Sequence, residues 1–334
     1  MNPRVRRVEI STAIEKSDLR IVYIAGMGRS GSTLLGQLLA NQLGAFDVGE
    51  LRFIWERGVL GNELCTCGAH FRECTFWTSV GEALGGWQAQ DAEWAIDVVR
   101  RVQRIRTMRP VLQRRGLGDA STELDRYHDL LRRLYRAVSV ASGRDIVVDT
   151  SKDARYGSVL CTTTDLDVRV LRLMRDSRAV AFSWARTRVR PETATLELVP
   201  RYGPAEAAGR YVVQSIAGDA LAKSGMPSMR LRYEDLVKDV PSEISKIARW
   251  LDVDQRRPDD VTHQDHSMSG NPMRFGTHPA VVVADREWET EMSRGARATV
   301  TALTLPLLLQ YGYLKRPSRS ARENGGELTP YDPR

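Results

Sequence analysis

Between residues 26 and 33 the chain reads GMGRSGST, with three glycines, one arginine and three hydroxyl side chains in a short turn. Glycines let a backbone come close to a ligand, and backbone N–H groups at the start of a helix bind anions. Arg29, Ser30, Ser32 and Thr33 add side-chain donors to those amides, which suits a concentrated anion such as a phosphate or a sulfate. The flanking segments predict how the turn is held. RIVYIA (20–25) is short, β-branched and bounded by glycine, as a buried strand is. Leu34, Leu35, Leu38, Leu39 and Leu43 fall on one side of a helix over 33–43, and Gly44 stops it.

Two phosphate-binding signatures overlap on this turn. Gly26, Gly28 and Gly31 spell G-x-G-x-x-G, and Glu50 follows Gly31 at the distance of a ribose-binding carboxylate, as in a dinucleotide fold. A dinucleotide turn, however, holds its pyrophosphate mainly through backbone amides and carries small neutral side chains, unlike Arg29 and its hydroxyl neighbours. Gly26 and Gly31 also frame G-x-x-x-x-G before Ser32-Thr33, but a nucleotide triphosphatase loop needs lysine where Ser32 stands.

Four further segments recur in order along the chain. VVDTSKDARYG (147–157) ends a strand at Lys152, one of six lysines in a chain whose other basic residues are arginine. A compact ammonium fits a bridging oxygen where a broad guanidinium does not, although a solvated lysine at a strand end is an equal alternative. VRVLRLMRDSRAVAFSW (168–184) runs from a strand into Arg175 and then into a helix carrying Ser183, a cation and a hydroxyl suited to a dianionic phosphate. MRLRYEDLVKD (229–239) holds Tyr233, and HSMSGNPMRF (266–275) holds Gly270, Asn271 and Arg274. Taken together with the loop, these segments resemble the sulfotransferase family that uses 3′-phosphoadenosine 5′-phosphosulfate (PAPS). The resemblance spans 20–77 and 145–290, and it is nearest the arginine-bearing loop of tyrosylprotein and many bacterial sulfotransferases.

The resemblance implies roles residue by residue. Gly28, Arg29, Ser30, Gly31, Ser32 and Thr33 would hold the 5′-phosphosulfate, and Arg175 with Ser183 the 3′-phosphate. Asn271 and Arg274 would belong to a late loop folded over that phosphate, and Tyr233 would line the nucleoside, a core tyrosine being the equal alternative. Arg29 and Lys152 would meet the charge that builds in transfer. Glu50, in VGELRF, matches the glutamate that serves as base in the tyrosylprotein type, the structural alternative being a carboxylate that ties down Arg52 or a nearby loop. The implied reaction transfers a sulfuryl group to an acceptor hydroxyl on a small molecule, glycan or lipid, yields PAP and needs no metal. A P-loop-type kinase and a non-catalytic nucleotide-binding module are the alternatives. Trp288, in DREW, reads as packing.

The elements predict an α/β fold, a P-loop-like central parallel sheet flanked by helices. Its strands are 20–25, 45–50, 145–149, 168–174 and 228–233, and 242–253 is a helix. Helical spacing at Val98, Val102 and Ile105 and at Tyr127, Leu130, Leu134 and Val138 predicts a helical insertion over about 85–142. Residues 1–19 read as an arm, 20–315 as the domain and 316–334 as a flexible tail. The net charge of +7 is arginine-based, which favours anionic ligands, and no lysine-rich tail points to nucleic acid. No apolar run reaches membrane-spanning length and no secretory leader is legible, so a cytoplasmic protein is expected.

CTCGAHFRECTFW (65–77) gathers Cys65, Cys67, His70 and Cys74. Such a set could ligate zinc, though its spacing is tighter than that of common structural sites. A loop closed by packing or by a local disulfide is the alternative, and a cytoplasmic setting disfavours the disulfide. Phe53, Trp55, Phe76 and Trp77 flank this segment as acceptor-pocket candidates or as core.

Overall fold

A computed structural model describes residues 19–102, 105–113, 120–187, 198–255, 266–275 and 284–314. The expected arm before Leu19 and the tail over 316–334 lie outside the described residues, as do His263 and His278.

The first apolar run forms β1 (Arg20–Gly26), which leads through the glycine turn into α1 (Ser32–Leu43) and β2 (Phe46–Gly49). A short 3-10 turn (Leu51–Phe53) and a π-helical turn (Ile54–Leu60) follow. Four helices come next: α2 (Thr75–Leu84), α3 (Ala89–Val102), α4 (Ile105–Gln113) and α5 (Ala120–Ser142). The α/β alternation then resumes with β3 (Ile146–Lys152), α6 (Ala154–Cys161), β4 (Asp167–Met174), α7 (Ser177–Ala185) and α8 (Pro204–Ala222). It ends with β5 (Ser228–Arg232), α9 (Tyr233–Lys238), α10 (Val240–Leu251), α11 (Trp288–Glu291) and α12 (Arg294–Gln310).

The five strands form one parallel sheet in the order β2-β3-β1-β4-β5. β1 lies at its centre, which explains its continuous apolar run: a parallel strand covered on both faces has no solvent side. Its residues alternate between two cores. Ile21, Tyr23 and Ala25 face α2–α6, whereas Val22 and Ile24 face α1, α9 and α10. Helices α3 and α5 contribute Val98, Leu131, Leu134 and Val138 to the same core as Ile21 and Tyr23. Among the described residues no helix is long and apolar enough to cross a membrane.

The strand order positions the site. The chain leaves β1 toward β2 and β3 on one side and reaches β4 and β5 on the other. A crevice therefore opens at the carboxyl end of β1, where open α/β sheets bind ligands. Every segment singled out on the strands arrives at that same end. Glu50 directly follows β2, Lys152 ends β3, the glycine turn follows β1, Arg175 follows β4 and Tyr233 follows β5.

Candidate active site

The turn after β1 is held from behind by α7. Trp184 Nε1 donates to the Gly28 carbonyl at 3.0 Å, and the Arg29 guanidinium lies 5.1 Å from the Trp184 ring. A β-carbon on Gly28 would meet that ring at 2.8 Å, so the glycine permits this contact. Arg29 takes a φ of 72°, an uncommon conformation for a side-chain-bearing residue, of the kind found where surrounding structure fixes a loop for function. Gly31, with φ 94°, is the N-cap of α1 and offers no side-chain cap, so the first amides of the helix point into the turn. Ser30 is buried and its Oγ has no hydrogen-bond partner among the described residues. Ser32 is buried beside it, and Thr33 lines a small polar cleft with Gln37, Thr150 and Ser269.

Arg175 braces the same turn from β4. Its Nη1 donates to the Arg29 carbonyl at 3.0 Å, and its Nη2 reaches the Asp285 carboxylate at 2.9 Å. The guanidinium stacks 4.3 Å from the Tyr233 ring, while Tyr211 holds the Arg175 carbonyl at 2.8 Å. Tyr233 in turn packs on Gly31, where an added β-carbon would lie 2.5 Å from its ring. Asp176 caps α7 by accepting from the Arg178 amide, and its own amide donates to Glu234 at 3.0 Å, which ties the RDS and YED segments together. Ser183 is buried on α7, next to Trp184. Trp288 packs where the sequence expects it, its ring beneath Arg178 and Arg297.

Replacing Gly31 with alanine should cost stability, because the left-handed backbone and the Tyr233 ring both oppose a β-carbon. Strain at such a backbone position is worth roughly 1–3 kcal/mol. Urea unfolding followed by circular dichroism checks it. A Gly31→Ala midpoint equal to wild type would mean that the turn and Tyr233 move apart freely.

On the other flank, β2 and β3 bring an acid and a base together. Gly49, with φ 74°, ends β2 and turns the chain, and the Glu50 amide donates to the Ser269 carbonyl at 3.1 Å. The Lys152 ammonium donates to Glu50 Oε1 at 2.6 Å and to the Thr150 carbonyl at 2.9 Å. Both side chains are mostly buried, at 15% exposure each. Burial pushes the Glu50 carboxyl upward, but Lys152, with Arg57 and Arg52 behind it, outweighs burial and holds it below the usual carboxylate range.

Arg52 forms an ion pair with Asp153 at 2.6 Å and acts on Glu50 through its charge. Lys152 itself has a φ of 68° and sits at the end of a built turn. Asp149, fully buried, accepts from the Ser151 amide at 2.7 Å, and Ser151 Oγ accepts from the Arg52 amide at 3.1 Å. Burial raises the Asp149 carboxyl to about 6 against its hydrogen bonds from Ser151 and Tyr135. Asp149 escaped notice in the sequence because an acid inside a strand reads as a surface residue until its burial is known.

Over its described residues 266–275 the late loop lies against Glu50. Arg274 donates to the Ser267 carbonyl at 2.6 Å and to the Leu64 carbonyl at 3.4 Å. Ser269 Oγ accepts from Arg57 at 2.8 Å. Gly270 lies beside Glu50, and Asn271 accepts the Arg274 amide on its carbonyl at 2.9 Å. Of the flanking aromatics, Trp55, Phe76 and Trp77 are core, whereas Phe53 is half-buried between the guanidinium groups of Arg52 and Arg57.

The quartet expected from the cysteine segment needs one correction. Cys65, Cys67 and Cys74 do converge, but their fourth neighbour is His266, and all four ligand atoms lie within 4.8 Å of one another. His70 turns outward, its Nδ1 2.8 Å from the Asn62 carbonyl. Nothing local in the sequence marks His266, which is brought in from the far end of the chain.

A model of the sulfotransferase family matches residues 22–257. Comparison with curated proteins finds no match. Among solved structures, a sulfotransferase domain from the curacin biosynthetic pathway is 17% identical with a TM-score of 0.46, covering 86% of this chain and 97% of that one. A sulfotransferase of Mycobacterium avium is 10% identical with a TM-score of 0.42, covering 91% and 79%. Another, of Mycobacterium tuberculosis, is 14% identical with a TM-score of 0.38, covering 78% and 74%.

Proposed function

The chain belongs to the sulfotransferase family, so its chemistry is sulfuryl transfer, and we propose that it moves the sulfuryl group of PAPS onto an acceptor hydroxyl and releases PAP. The observation that carries this reading is the Glu50–Lys152 pair, joined at 2.6 Å at the strand ends beside the glycine turn. A hydroxyl that attacks sulfur must lose a proton, and the bridging oxygen that leaves sulfur gains charge. A mostly buried carboxylate and a mostly buried ammonium in contact supply both needs.

In this proposal the amides of the turn, with Arg29, Ser30, Ser32 and Thr33, hold the 5′-phosphosulfate. The buried hydroxyl of Ser30, without a partner among the described residues, supports an occupant there, since a buried polar group is costly unless it is hydrogen-bonded. Arg175 and Ser183 take the 3′-phosphate, which then replaces the Asp285 carboxylate on the guanidinium. Tyr233, already stacked on Arg175, lines the nucleoside. Asn271 belongs to the loop beside the donor, and Arg274 braces that loop, because its guanidinium is engaged by the carbonyls of Ser267 and Leu64.

The acceptor proton passes to Glu50 as the acceptor oxygen bonds to sulfur. The bond from sulfur to the donor's bridging oxygen breaks, and PAP leaves with its new charge beside Lys152 and Arg29. No step uses a metal. The acceptor is a small molecule, a glycan or a lipid, met in the cytoplasm.

Incubating the protein with PAPS and a host metabolite extract, followed by mass spectrometry, tests the proposal. The expected result is a product heavier than its precursor by one SO₃, with PAP formed in equal amount. Tight binding of PAP with no product from any acceptor would instead identify a nucleotide-binding module.

A further inference from the structure

Cys65 and Cys67 flank a tight turn closed by hydrogen bonds from the Gly68 amide to the Cys65 carbonyl and from the Cys65 amide to the Ala69 carbonyl, both at 2.9 Å. Gly68 takes a φ of 88°, which lets the turn fold back so that both sulfurs face one point. Cys74 is the N-cap of α2, which fixes its place at the start of that helix. His266 stacks on Phe76, ring centroids 5.0 Å apart and nearly parallel, and directs Nδ1 at the sulfurs. The turn and the late loop are stitched together twice more. The Thr66 amide donates to the Ser267 carbonyl at 3.2 Å, and the Ser267 amide donates to Thr66 Oγ1 at 2.9 Å.

Four of the six separations come close to the edges of a tetrahedral metal site, and all six lie within 4.8 Å. Cys67 Sγ and Cys74 Sγ are 3.6 Å apart, and Cys74 Sγ and Cys65 Sγ 3.8 Å. His266 Nδ1 stands 3.3 Å from Cys74 Sγ and 3.8 Å from Cys65 Sγ. With Zn–S near 2.3 Å and Zn–N near 2.0–2.1 Å, a tetrahedron has S–S edges of about 3.8 Å and S–N edges of about 3.5 Å. All three cysteines are free, and a disulfide would need two sulfurs at about 2.05 Å. Three thiolates and an imidazole are a soft donor set that favours zinc over the hard cations.

We propose that Cys65, Cys67, Cys74 and His266 bind one zinc ion, a structural site that clamps the late loop against Glu50. Binding displaces the three thiol protons and leaves no open position for water, so the ion takes no part in transfer. Its consequence for the site is mechanical. His266 begins the loop whose Ser269 carbonyl holds the Glu50 amide and whose Ser269 hydroxyl holds Arg57. A metal bond across some two hundred residues of chain fixes that loop far more firmly than its few hydrogen bonds do.

Elemental analysis of the full-length protein, purified with reductant or refilled with zinc sulfate and desalted, tests the site. About one zinc per chain is expected, as for a closed site with four protein ligands. Under competition from a chelator, His266→Ala should retain at least tenfold less zinc than wild type, and His70→Ala as much as wild type. Cobalt added to the unmodified metal-free chain should give the visible bands of tetrahedral cobalt with thiolate charge transfer, and zinc should raise that chain's unfolding temperature. The proposal fails if the reduced chain takes up no zinc, if a disulfide joins two of the three cysteines, if iron or copper is found instead, or if His70→Ala loses metal as readily as His266→Ala.

Discussion

Glu50→Gln should reduce turnover with PAPS by on the order of 10²–10⁴-fold, the usual contribution of a positioned general base, while PAP binds as it does to wild type. Glutamine keeps the shape of the side chain and an oxygen that can still accept from Lys152, but it cannot take a proton. The contacts that hold the glycine turn come from Trp184, Arg175 and Tyr233, none of which touches Glu50. Donor affinity, read by calorimetric titration with PAP, is therefore expected to stay within about twofold of wild type while the single-turnover rate collapses, the pattern of an interaction needed only in the transition state. A variant with near-normal turnover removes Glu50 from this role.

The pH dependence of the wild type follows from the same pair. Lys152, Arg57 and Arg52 together hold the Glu50 carboxyl below the usual carboxylate range, so the proposed base is ionised throughout neutral pH. The acid limb of the rate profile should lie below that of an ordinary glutamate. Stability has the same sign. A depressed carboxylate contributes stability that is present above its unfolded pKa and lost as pH falls through the folded one, so the pair weakens only in acid.

The sequence reveals local matters well and distant pairings poorly, and particular residues show why. β1 is legible because a central parallel strand has no solvent face and must be apolar throughout. α1 is legible because its leucines repeat at helical spacing and Gly44 closes it. The predicted strand over 45–50 is shorter in the structure, since Gly49 turns the backbone and delivers Glu50 to Lys152 instead of to a neighbouring strand. The five motifs could be read in order, but their convergence depends on the strand order, which no motif states. Trp184, Asp285 and His266 act on partners at least a hundred residues away in the chain, and no periodicity or spacing reports such contacts. The choice of His70 for the cysteine cluster is the clearest example. It is the histidine nearest in sequence, yet the turn that aims Cys65 and Cys67 inward sends His70 out to Asn62.

Lys152→Met should impair the enzyme in two ways that can be separated. Methionine has nearly the length of lysine and fills the same partly buried space, so the loss is one of charge rather than of packing. If the ammonium meets the bridging oxygen in transfer, its removal should lower turnover by about 10²–10³-fold, the cost of deleting one preorganised electrostatic contact. The second effect concerns Glu50. With the largest stabilising cation gone, burial acts on the carboxyl with less opposition, and its pKa rises. The acid limb of whatever activity remains should therefore shift to higher pH, which loss of the bridging contact alone would not cause. Lys152→Arg makes a sharper control. It keeps the charge and so keeps the limb near its wild-type position, but a planar guanidinium does not fit the place of a point charge held between Glu50 and the Thr150 carbonyl. Low turnover with an unmoved limb in Lys152→Arg, beside low turnover with a raised limb in Lys152→Met, is the pair of results that assigns both functions to this lysine. A Lys152→Met enzyme with an unshifted limb would mean that Glu50 does not depend on Lys152 for its ionisation, and one with wild-type turnover would mean that the charge on the bridging oxygen is met elsewhere, by Arg29 and the helix amides.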